Sequence, residues 1–252
     1  MEIAKRASVE AGEKIMEIYD SSDFEIELKG DNSPLTRADK AAHHLIMSFL
    51  DKTEVPVLSE EGRDIPFEER SQWEYLWVVD PLDGTKEFIK RNGEFTVNIA
   101  LVEGHEVVLG VVHVPVLDVT YYASKGEGAF VIKGKALAQP IQANEFTMAD
   151  EGLRLVCSRS HRSDAVEEYL QQFTQPEIVS MGSSLKLVLV AEGKADIYPR
   201  LGPTMEWDTA AAQIVVEEAG GTVISQDTQE KVRYNKENLL NPYFIVFGQV
   251  NG

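Results

Sequence analysis

Cysteine, long apolar runs and basic residues are all scarce in this chain of 252 residues. The single cysteine, Cys157, excludes an internal disulfide and favours a reducing compartment. No apolar run reaches the length of a membrane span, and residues 1–20 carry charges throughout, so we expect neither a transmembrane segment nor a signal peptide. Together these absences predict a cytoplasmic protein.

Acidic residues outnumber basic ones by 42 to 24, which gives a formal net charge of −18. This charge repels nucleic-acid duplexes and anionic membranes, so we expect neither as a partner. It should also repel small phosphates, unless something local reverses the sign. Hydrophobic residues make up 43% of the chain, which is typical of a folded globular protein rather than a disordered one.

Motifs of several common chemistries are also missing from the sequence. There is no Gly-x-x-x-x-Gly-Lys-Ser/Thr loop, which argues against a P-loop kinase or ATPase. There is no His-Glu-x-x-His motif and no cysteine cluster, which argues against a zinc site.

The spacing of apolar residues predicts two parts of the chain that differ in the order of their helices and strands. Residues 3–19 and 37–50 repeat apolar positions at helical spacing, and β-rich segments follow from 75 to 132. From residue 153 onward strands alternate with helices, which implies α/β layering. We expect an N-terminal half over residues 1–128 and a C-terminal half over residues 129–252, closely packed as one catalytic unit.

Two carboxylates, Asp80 and Asp83, follow a strand that is apolar on both faces, in the segment WVVDPLDGT (residues 77–85). Open α/β sheets bind their ligands at that edge. If a helix begins near Lys86, the amides of Gly84 and Thr85 would form an anion site. Asp-Pro and Asp-Gly are also common turn pairs, so an ordinary turn is the alternative interpretation.

Further acidic residues stand at the ends of other predicted elements. Glu60 and Glu61 follow a short strand, and Asp208 begins an Ala-rich helix. Taken singly, adjacent glutamates are usually solvated, and Asp208 is most simply an N-cap. Thr36 with Asp39 likewise resembles a capping box at the start of a helix.

The chemistry changes if Glu60, Asp80, Asp83 and Asp208 meet, because like charges raise each other's pKa strongly unless cations intervene. Ligands that are all oxygen select hard cations such as Mg²⁺ or Mn²⁺. Three divalent cations would balance the four carboxylates together with one phosphate dianion. Such a cluster would attract phosphate inside a negative protein and activate a coordinated water. The pattern therefore predicts metal-assisted hydrolysis of a phosphate monoester.

Two segments resemble the motifs of the inositol monophosphatase-like family of magnesium-dependent, lithium-sensitive phosphatases: WVVDPLDGTKEF (residues 77–88) and EWDTAAAQIVVEEAGG (residues 206–221). Within that family the chain is most similar to the bacterial 3′(2′),5′-bisphosphate nucleotidases, through KGDNSPLTRADKAAH, VPVLSEE, SRSH and GSSLKLVLVAEGKADIYPRLGPT. The resemblance covers nearly the whole chain. It implies an α/β fold, the αβαβα layered sandwich of the inositol monophosphatase and fructose-1,6-bisphosphatase type.

The resemblance also implies roles for individual residues. Asp31, otherwise an ordinary turn residue, would orient the attacking water together with Thr85, and the amides of Gly84 and Thr85 would hold the scissile phosphate. Outer support would come from Thr36, Asp39 and Glu61. Two to three Mg²⁺ ions, with Mn²⁺ as a substitute, would be held by Glu60, Asp80, Asp83, Asp208 and the backbone carbonyl of Leu82.

A nucleotide substrate needs contacts for a second phosphate and an adenine. The turn at residues 182–184 opens a helix, so its amides and hydroxyls could hold the 5′-phosphate. The expected pocket residues are polar, basic or aromatic: Gly182, Ser183, Ser184, Lys186, Arg200, Tyr198 and His161. Two alternatives stay open, because Ser183 could simply cap its helix and Tyr198 could belong to the core.

We therefore expect hydrolysis of the 3′-phosphate of adenosine 3′,5′-bisphosphate to AMP and phosphate. By resemblance, 3′-phosphoadenylyl sulfate is a further substrate, which would connect the protein to sulfur assimilation. The rival within the same class is an inositol monophosphatase or a fructose-1,6-bisphosphatase. The rival of another class is a non-catalytic metal- or nucleotide-binding regulator. The sequence leaves the oligomeric state open.

Overall fold

The computed structural model describes residues 1–21, 24–30, 34–158 and 163–251, so the predicted site residues Asp31 and His161 lie outside the described residues. Within these ranges the helices are α1 (Glu2–Ser21), α2 (Arg37–Leu50), α3 (Phe67–Arg70), α4 (Thr85–Ile89), α5 (Asp164–Leu170), α6 (Leu185–Ala191) and α7 (Glu206–Glu218). None of these described helices combines the length and the apolar character that a membrane crossing requires.

The strands of the described ranges are β1 (Glu27–Leu28), β2 (Pro34–Leu35), β3 (Val57–Ser59), β4 (Tyr75–Asp83), β5 (Thr96–Glu103), β6 (Glu106–Val114), β7 (Val119–Ser124), β8 (Gly128–Lys133), β9 (Gln139–Ile141), β10 (Glu145–Phe146), β11 (Arg154–Ser158), β12 (Glu177–Met181), β13 (Ile197–Arg200), β14 (Thr222–Ser225), β15 (Phe244–Phe247) and β16 (Gln249–Val250). A larger sheet has the order β3-β4-β5-β6-β7-β8-β9, and a smaller sheet has the order β12-β11-β13-β15-β14.

The larger sheet begins with a parallel pair, β3 and β4, and its other neighbouring strands are antiparallel. It continues to Ile141 and so passes the boundary that we predicted between residues 128 and 129. A division of the chain into two halves stays a prediction, and the end of the sheet favours a boundary after Ile141.

Neighbouring residues of β4 bury opposite faces of the larger sheet, as the period of two in a strand requires. Trp77 and Val79 share a core with α1 and α2, whereas Leu76 and Val78 share a core with α6, α7 and the inner face of the smaller sheet. Helix α5 packs on the outer face of the smaller sheet. The order of layers is helix, sheet, helix, sheet, helix, which confirms the predicted αβαβα sandwich.

In the first turns of α2 and α7, an aspartate accepts a hydrogen bond from the backbone N–H three residues before it. The capping box of α2 is confirmed: the Thr36 hydroxyl accepts from the Ala38 N–H (3.2 Å), and Asp39 accepts from the Thr36 N–H (2.8 Å). The interpretation of Asp208 as an N-cap is wrong, because α7 begins at Glu206. Asp208 lies in the first turn instead, where its carboxylate accepts from the N–H of Met205 (2.9 Å).

Strand β4 is longer than predicted, since it continues through Asp80 to Asp83. Asp80 pairs with Asn98 and Asp83 pairs with Thr96, so β4 has one extra residue in this stretch. Pro81 has no N–H to donate, and an extra residue in a strand is accommodated as a bulge. The bulge keeps both carboxylates on the end of a buried strand.

Helix α7 lies directly against the larger sheet because β6 has a glycine at the contact. A Cβ atom at Gly110 would lie 2.2 Å from the carbonyl oxygen of Ala211 and 2.5 Å from a methyl group of Ile214. No larger residue fits without moving the helix. This contact sets the depth of α7, and with it the position of Asp208.

Candidate metal centre and active site

Three carboxylates from separate parts of the chain converge at the edge of the larger sheet. Glu60 follows β3, Asp80 lies in the neighbouring strand β4, and Asp208 lies in the first turn of α7. One carboxylate oxygen from each of the three lies within 4.8 Å of the other two. Because β3 and β4 are parallel, the residues that follow Ser59 and Val79 reach the same edge together.

Burial and mutual repulsion disfavour ionisation of this cluster. Burial, followed by the charges of Glu60, Asp83 and Asp208, raises the pKa of Asp80 well above its usual value. Burial, followed by the charge of Asp83, raises the pKa of Asp208 to about 8. A divalent cation would remove this penalty, and the donors offered are all oxygen atoms, as Mg²⁺ and Mn²⁺ prefer. The residues present therefore fit a hard cation.

Asp83 and Leu82 lie beside this group of three carboxylates, and both make hydrogen bonds at the bulge of β4. The carboxylate of Asp83 accepts from the N–H of Ser184 (2.5 Å) and from the side-chain amide of Asn98 (3.5 Å). Burial raises its pKa to about 6, although the charge of Lys186 opposes the shift. The N–H of Leu82 donates to Asp80 (3.0 Å). The predicted roles of Asp83 and Leu82 as metal ligands stay predictions.

The hydroxyl of Thr85 faces a buried carboxylate on α2. Thr85 Oγ1 donates to Asp39 Oδ1 (3.0 Å), while Asp39 Oδ2 accepts from both the N–H (2.8 Å) and the hydroxyl (2.5 Å) of Thr36. Asp39 is therefore in direct contact with Thr85, whereas the predicted partner Asp31 lies outside the described residues. Burial raises the pKa of Asp39 above its usual value.

Lys29 is a site residue that our sequence analysis missed. Its ammonium group donates to Glu60 (2.7 Å) and to Glu61 (2.5 Å), so Glu61 reaches the site through this cation. Burial alone would lower the pKa of Lys29, but the two carboxylates outweigh it and raise the pKa above its usual value. A lysine in a turn carries no sequence signal for such a contact.

A cavity of about 130 Å³ adjoins the carboxylates. The predicted residues that line it are Asp83, Gly84, Gly182, Ser183, Ser184, Lys186, Tyr198, Arg200 and Asp208. Residues that line it and were not predicted are Glu87, Ser158, Leu187, Thr204 and Thr209. The lining residues Asp83, Glu87 and Asp208 form the acidic wall of the cavity, and Lys186 and Arg200 form its basic wall.

The turn at residues 182–184 does not present its amides as we predicted. The N–H of Gly182 donates to Glu94 (2.8 Å), and the N–H of Ser184 donates to Asp83. The hydroxyl of Ser184 is buried, where it donates to Asn98 (2.9 Å) and lies 2.8 Å from the hydroxyl of Thr96. Carboxylates from the larger sheet and its loops therefore occupy the amides of Gly182 and Ser184, and a role of this turn in binding phosphate stays a prediction.

Lys186 and Tyr198 are packed together in the wall of the cavity. The ammonium of Lys186 lies 5.5 Å from the centre of the Tyr198 ring and donates to the carbonyl of Ser183 (2.6 Å). Burial lowers the pKa of Lys186 to about 8, although Asp83 opposes the shift. Tyr198 is 2% exposed and packs edge-on against Phe244, so it is a core residue that also borders the cavity.

Asn98 is another site residue that our sequence analysis missed, although its position among apolar residues of a strand could have indicated a role. It lies 1% exposed in the middle of β5, flanked by apolar residues. A buried polar side chain in such a strand needs hydrogen-bond partners, and Asp83 and Ser184 supply them.

Comparison with known proteins supports one family throughout. The model of the inositol monophosphatase family matches residues 1–243. The chain is 48% identical over 240 residues to the 3′(2′),5′-bisphosphate nucleotidase CysQ of Salmonella typhimurium, with 94% of each chain covered, and equally similar to that of Escherichia coli strain K12. The crystal structure of CysQ from Bacteroides thetaiotaomicron superposes with a TM-score of 0.87 at 46% identity, covering 99% of this chain and 97% of that one.

Removing one charge from the cluster should stabilise the protein in the absence of divalent cations. We expect Asp208→Asn to raise the free energy of unfolding in EDTA at pH 8 by about 1 kcal/mol or more, because a pKa shift of one unit corresponds to about 1.4 kcal/mol. The folded pKa is about 8 and the usual value is 3.8, so the gain should be largest at pH 8 and shrink as the pH falls to 4.

Urea unfolding at several pH values measures this gain, and Asp227→Asn, an exposed turn residue, is the matched control. Mg²⁺ should stabilise the wild type more than the Asp208→Asn variant. A variant that is no more stable in EDTA than the control would contradict the electrostatic account of the cluster.

Proposed function

Because the chain belongs to the inositol monophosphatase family, we propose that it is a magnesium-dependent phosphatase that removes the 3′-phosphate of adenosine 3′,5′-bisphosphate to give AMP and phosphate. The main support for the proposal is the cavity that both kinds of residue line. Its acidic wall suits a cation-bound phosphate, and its basic wall suits a second phosphate. The name of the CysQ relatives supports the choice of a bisphosphate nucleotide.

The carboxylates of Glu60, Asp80 and Asp208, together with Asp83 and the Leu82 carbonyl, would hold two to three Mg²⁺ ions. Mn²⁺, which shares the preference for oxygen ligands, is expected to substitute. When bound, these cations would neutralise the cluster, stabilise the charge that develops on the phosphate and activate the attacking water.

Thr85 and Asp39 would orient the water that attacks the phosphate. The proton of the Thr85 hydroxyl is directed to Asp39, so the hydroxyl oxygen keeps a lone pair that accepts a hydrogen bond from water. A water held in this way presents its own lone pair to the phosphorus atom. Its oxygen would form the new P–O bond as the bond to the 3′-oxygen breaks, without a covalent enzyme intermediate. One proton of the water passes overall to the 3′-oxygen, and the other stays on the released phosphate.

The loop at Gly84 would let the phosphate approach the backbone. Gly84 has φ 97°, and a Cβ atom there would lie 2.9 Å from the carbonyl oxygen of Glu94, so only glycine fits. The amides of Gly84 and Thr85 lie at the start of α4, where backbone N–H groups have no partner within the helix.

Lys186 and Arg200 would recognise the 5′-phosphate, with Ser183 and Thr204 as hydroxyl contacts. Arg200 donates to the carbonyl of Pro203 (2.6 Å), which holds its side chain at the wall of the cavity. An inositol monophosphate has no second phosphate to meet these cations. 3′-Phosphoadenylyl sulfate keeps the 3′-phosphate and is a further proposed substrate, in keeping with a cytoplasmic role in sulfur assimilation.

A panel of substrates tests the proposed reaction. With Mg²⁺, we expect kcat/KM for adenosine 3′,5′-bisphosphate to exceed the value for inositol 1-phosphate by at least about tenfold, the effect of one charged hydrogen bond to the second phosphate. It should also exceed the value for fructose 1,6-bisphosphate. Chromatography should identify 5′-AMP as the product, and lithium should inhibit the reaction. Formation of 3′-AMP, a preference for the inositol substrate, or no release of phosphate at all would each refute the proposal.

The basic wall of the cavity can be tested separately. We expect Lys186→Met to lower kcat/KM for adenosine 3′,5′-bisphosphate by about 10- to 100-fold, because the ammonium would pair with the 5′-phosphate. The same variant should change hydrolysis of adenosine 3′-phosphate, which lacks that group, far less. Lys135→Met, at an exposed position, is the matched control. Equal losses on the two substrates would exclude Lys186 as the 5′-phosphate contact.

A further inference from the structure

A loop that carries two buried asparagines packs against the first turn of α7, the turn that carries Asp208. We call residues 235–241 the clasp. From the clasp, the N–H groups of Asn235 (2.6 Å) and Lys236 (3.0 Å) and the ammonium of Lys236 (2.5 Å) all donate to Glu206. In return the N–H of Glu206 donates to the carbonyl of Leu239 (3.0 Å). Glu206 is fully buried, so these hydrogen bonds to the clasp compensate for the water that its carboxylate loses.

Asn241 is the last residue of the clasp and bonds to three residues around the start of α7. Its side-chain amide donates to the carbonyl of Met205 (2.8 Å) and to the hydroxyl of Thr209 (2.9 Å), and its N–H donates to the carbonyl of Thr204 (2.8 Å). Asn241 is 4% exposed. It therefore holds the residues on both sides of Asp208 along the chain, without touching Asp208 itself.

Met205 is the link between Asn241 and the carboxylate. Its carbonyl accepts from Asn241, and its N–H donates to Asp208 Oδ2. The same peptide segment is thus held from both sides. A shift of the Met205 backbone would move the hydrogen bond that orients the carboxylate of Asp208.

The clasp is also bonded to helix α3. Arg70, a buried residue at the end of α3, donates to the side chain of Asn235 (3.0 Å) and to the carbonyl of Glu237 (2.8 Å). The side-chain amide of Asn235 donates back to the carbonyl of Arg70 (3.1 Å). The clasp therefore connects the end of α3 to the first turn of α7.

We propose that Asn241 is a positioning residue, which sets the location and orientation of Asp208 through Met205. Partners in the outer layer of a metal site orient its ligands, and their loss costs about 10- to 100-fold in metal affinity. The inference rests on the proposed function, since it concerns one of the carboxylates assigned to the cations there. Its test is direct binding of a cation, so it does not depend on which substrate is hydrolysed.

The experiment compares two asparagines of the same segment in the whole protein. Asn241→Leu keeps a similar volume but removes the donors to Met205 and Thr209. Asn238→Leu alters an exposed side chain that bonds only within the clasp. Calorimetric titration with Mn²⁺ alone should show about 10- to 100-fold weaker binding for Asn241→Leu and unchanged binding for Asn238→Leu. Excess Mn²⁺ should then restore much of the lost turnover.

A second variant, Asn241→Asp, keeps the test usable if Asn241→Leu fails to fold. Lys236 lies 3.5 Å from this side chain and can pair with the new carboxylate. The added negative charge would by itself attract a cation, so weaker Mn²⁺ binding would have to come from the lost donor. Wild-type Mn²⁺ affinity in folded Asn241→Leu would overturn the inference, and so would an Asn241→Asp variant that binds Mn²⁺ more tightly than the wild type. Failure of the wild type to hydrolyse the nucleotide would refute the proposed function and leave this test intact.

Discussion

Mutual repulsion among buried carboxylates is the constraint on which the rest of the structure depends. Glu60, Asp80 and Asp208 bring oxygen atoms within 4.8 Å of one another, in an environment that raises the pKa of Asp80 and Asp208. Such a cluster opposes folding when it is ionised, so the surrounding packing has to enforce it. The glycine contact between β6 and α7 and the bulge in β4 do so. Because a divalent cation would relieve the same repulsion, the repulsion favours binding of such a cation.

In one cavity the local charge would become positive, although the protein as a whole is negative. The protein as a whole carries a net charge of −18 and should repel phosphate. Cations held by the acidic wall, together with Lys186 and Arg200 in the basic wall, would make this one region attractive to an anion with two phosphates. The pairing of Thr85 with Asp39 lies beside the acidic wall, where a water could be oriented towards the phosphate that the cations hold. Binding and hydrolysis therefore follow from the same arrangement of charges.

Features that depend on neighbouring residues could be predicted from the sequence. The capping box of Thr36 and Asp39 needs only four residues of chain, and the approach of Glu60 to Asp80 follows from two parallel strands ending together. Contacts made by long side chains between distant segments could not be predicted. Lys29 reaches Glu60 and Glu61 from a turn, and Asp83 reaches the amide of Ser184 from the other half of the chain. In both cases local sequence specifies the element, and only tertiary packing specifies the partner.

Anomalous X-ray scattering from crystals soaked in Mn²⁺ tests the central claim most directly, because it locates the cations without any assumption about the substrate. The account predicts strong peaks between Glu60, Asp80 and Asp208, and their loss in crystals of Asp80→Asn. Peaks elsewhere on the protein, or peaks that persist at the cluster in that variant, would contradict the assignment of these carboxylates as the metal centre.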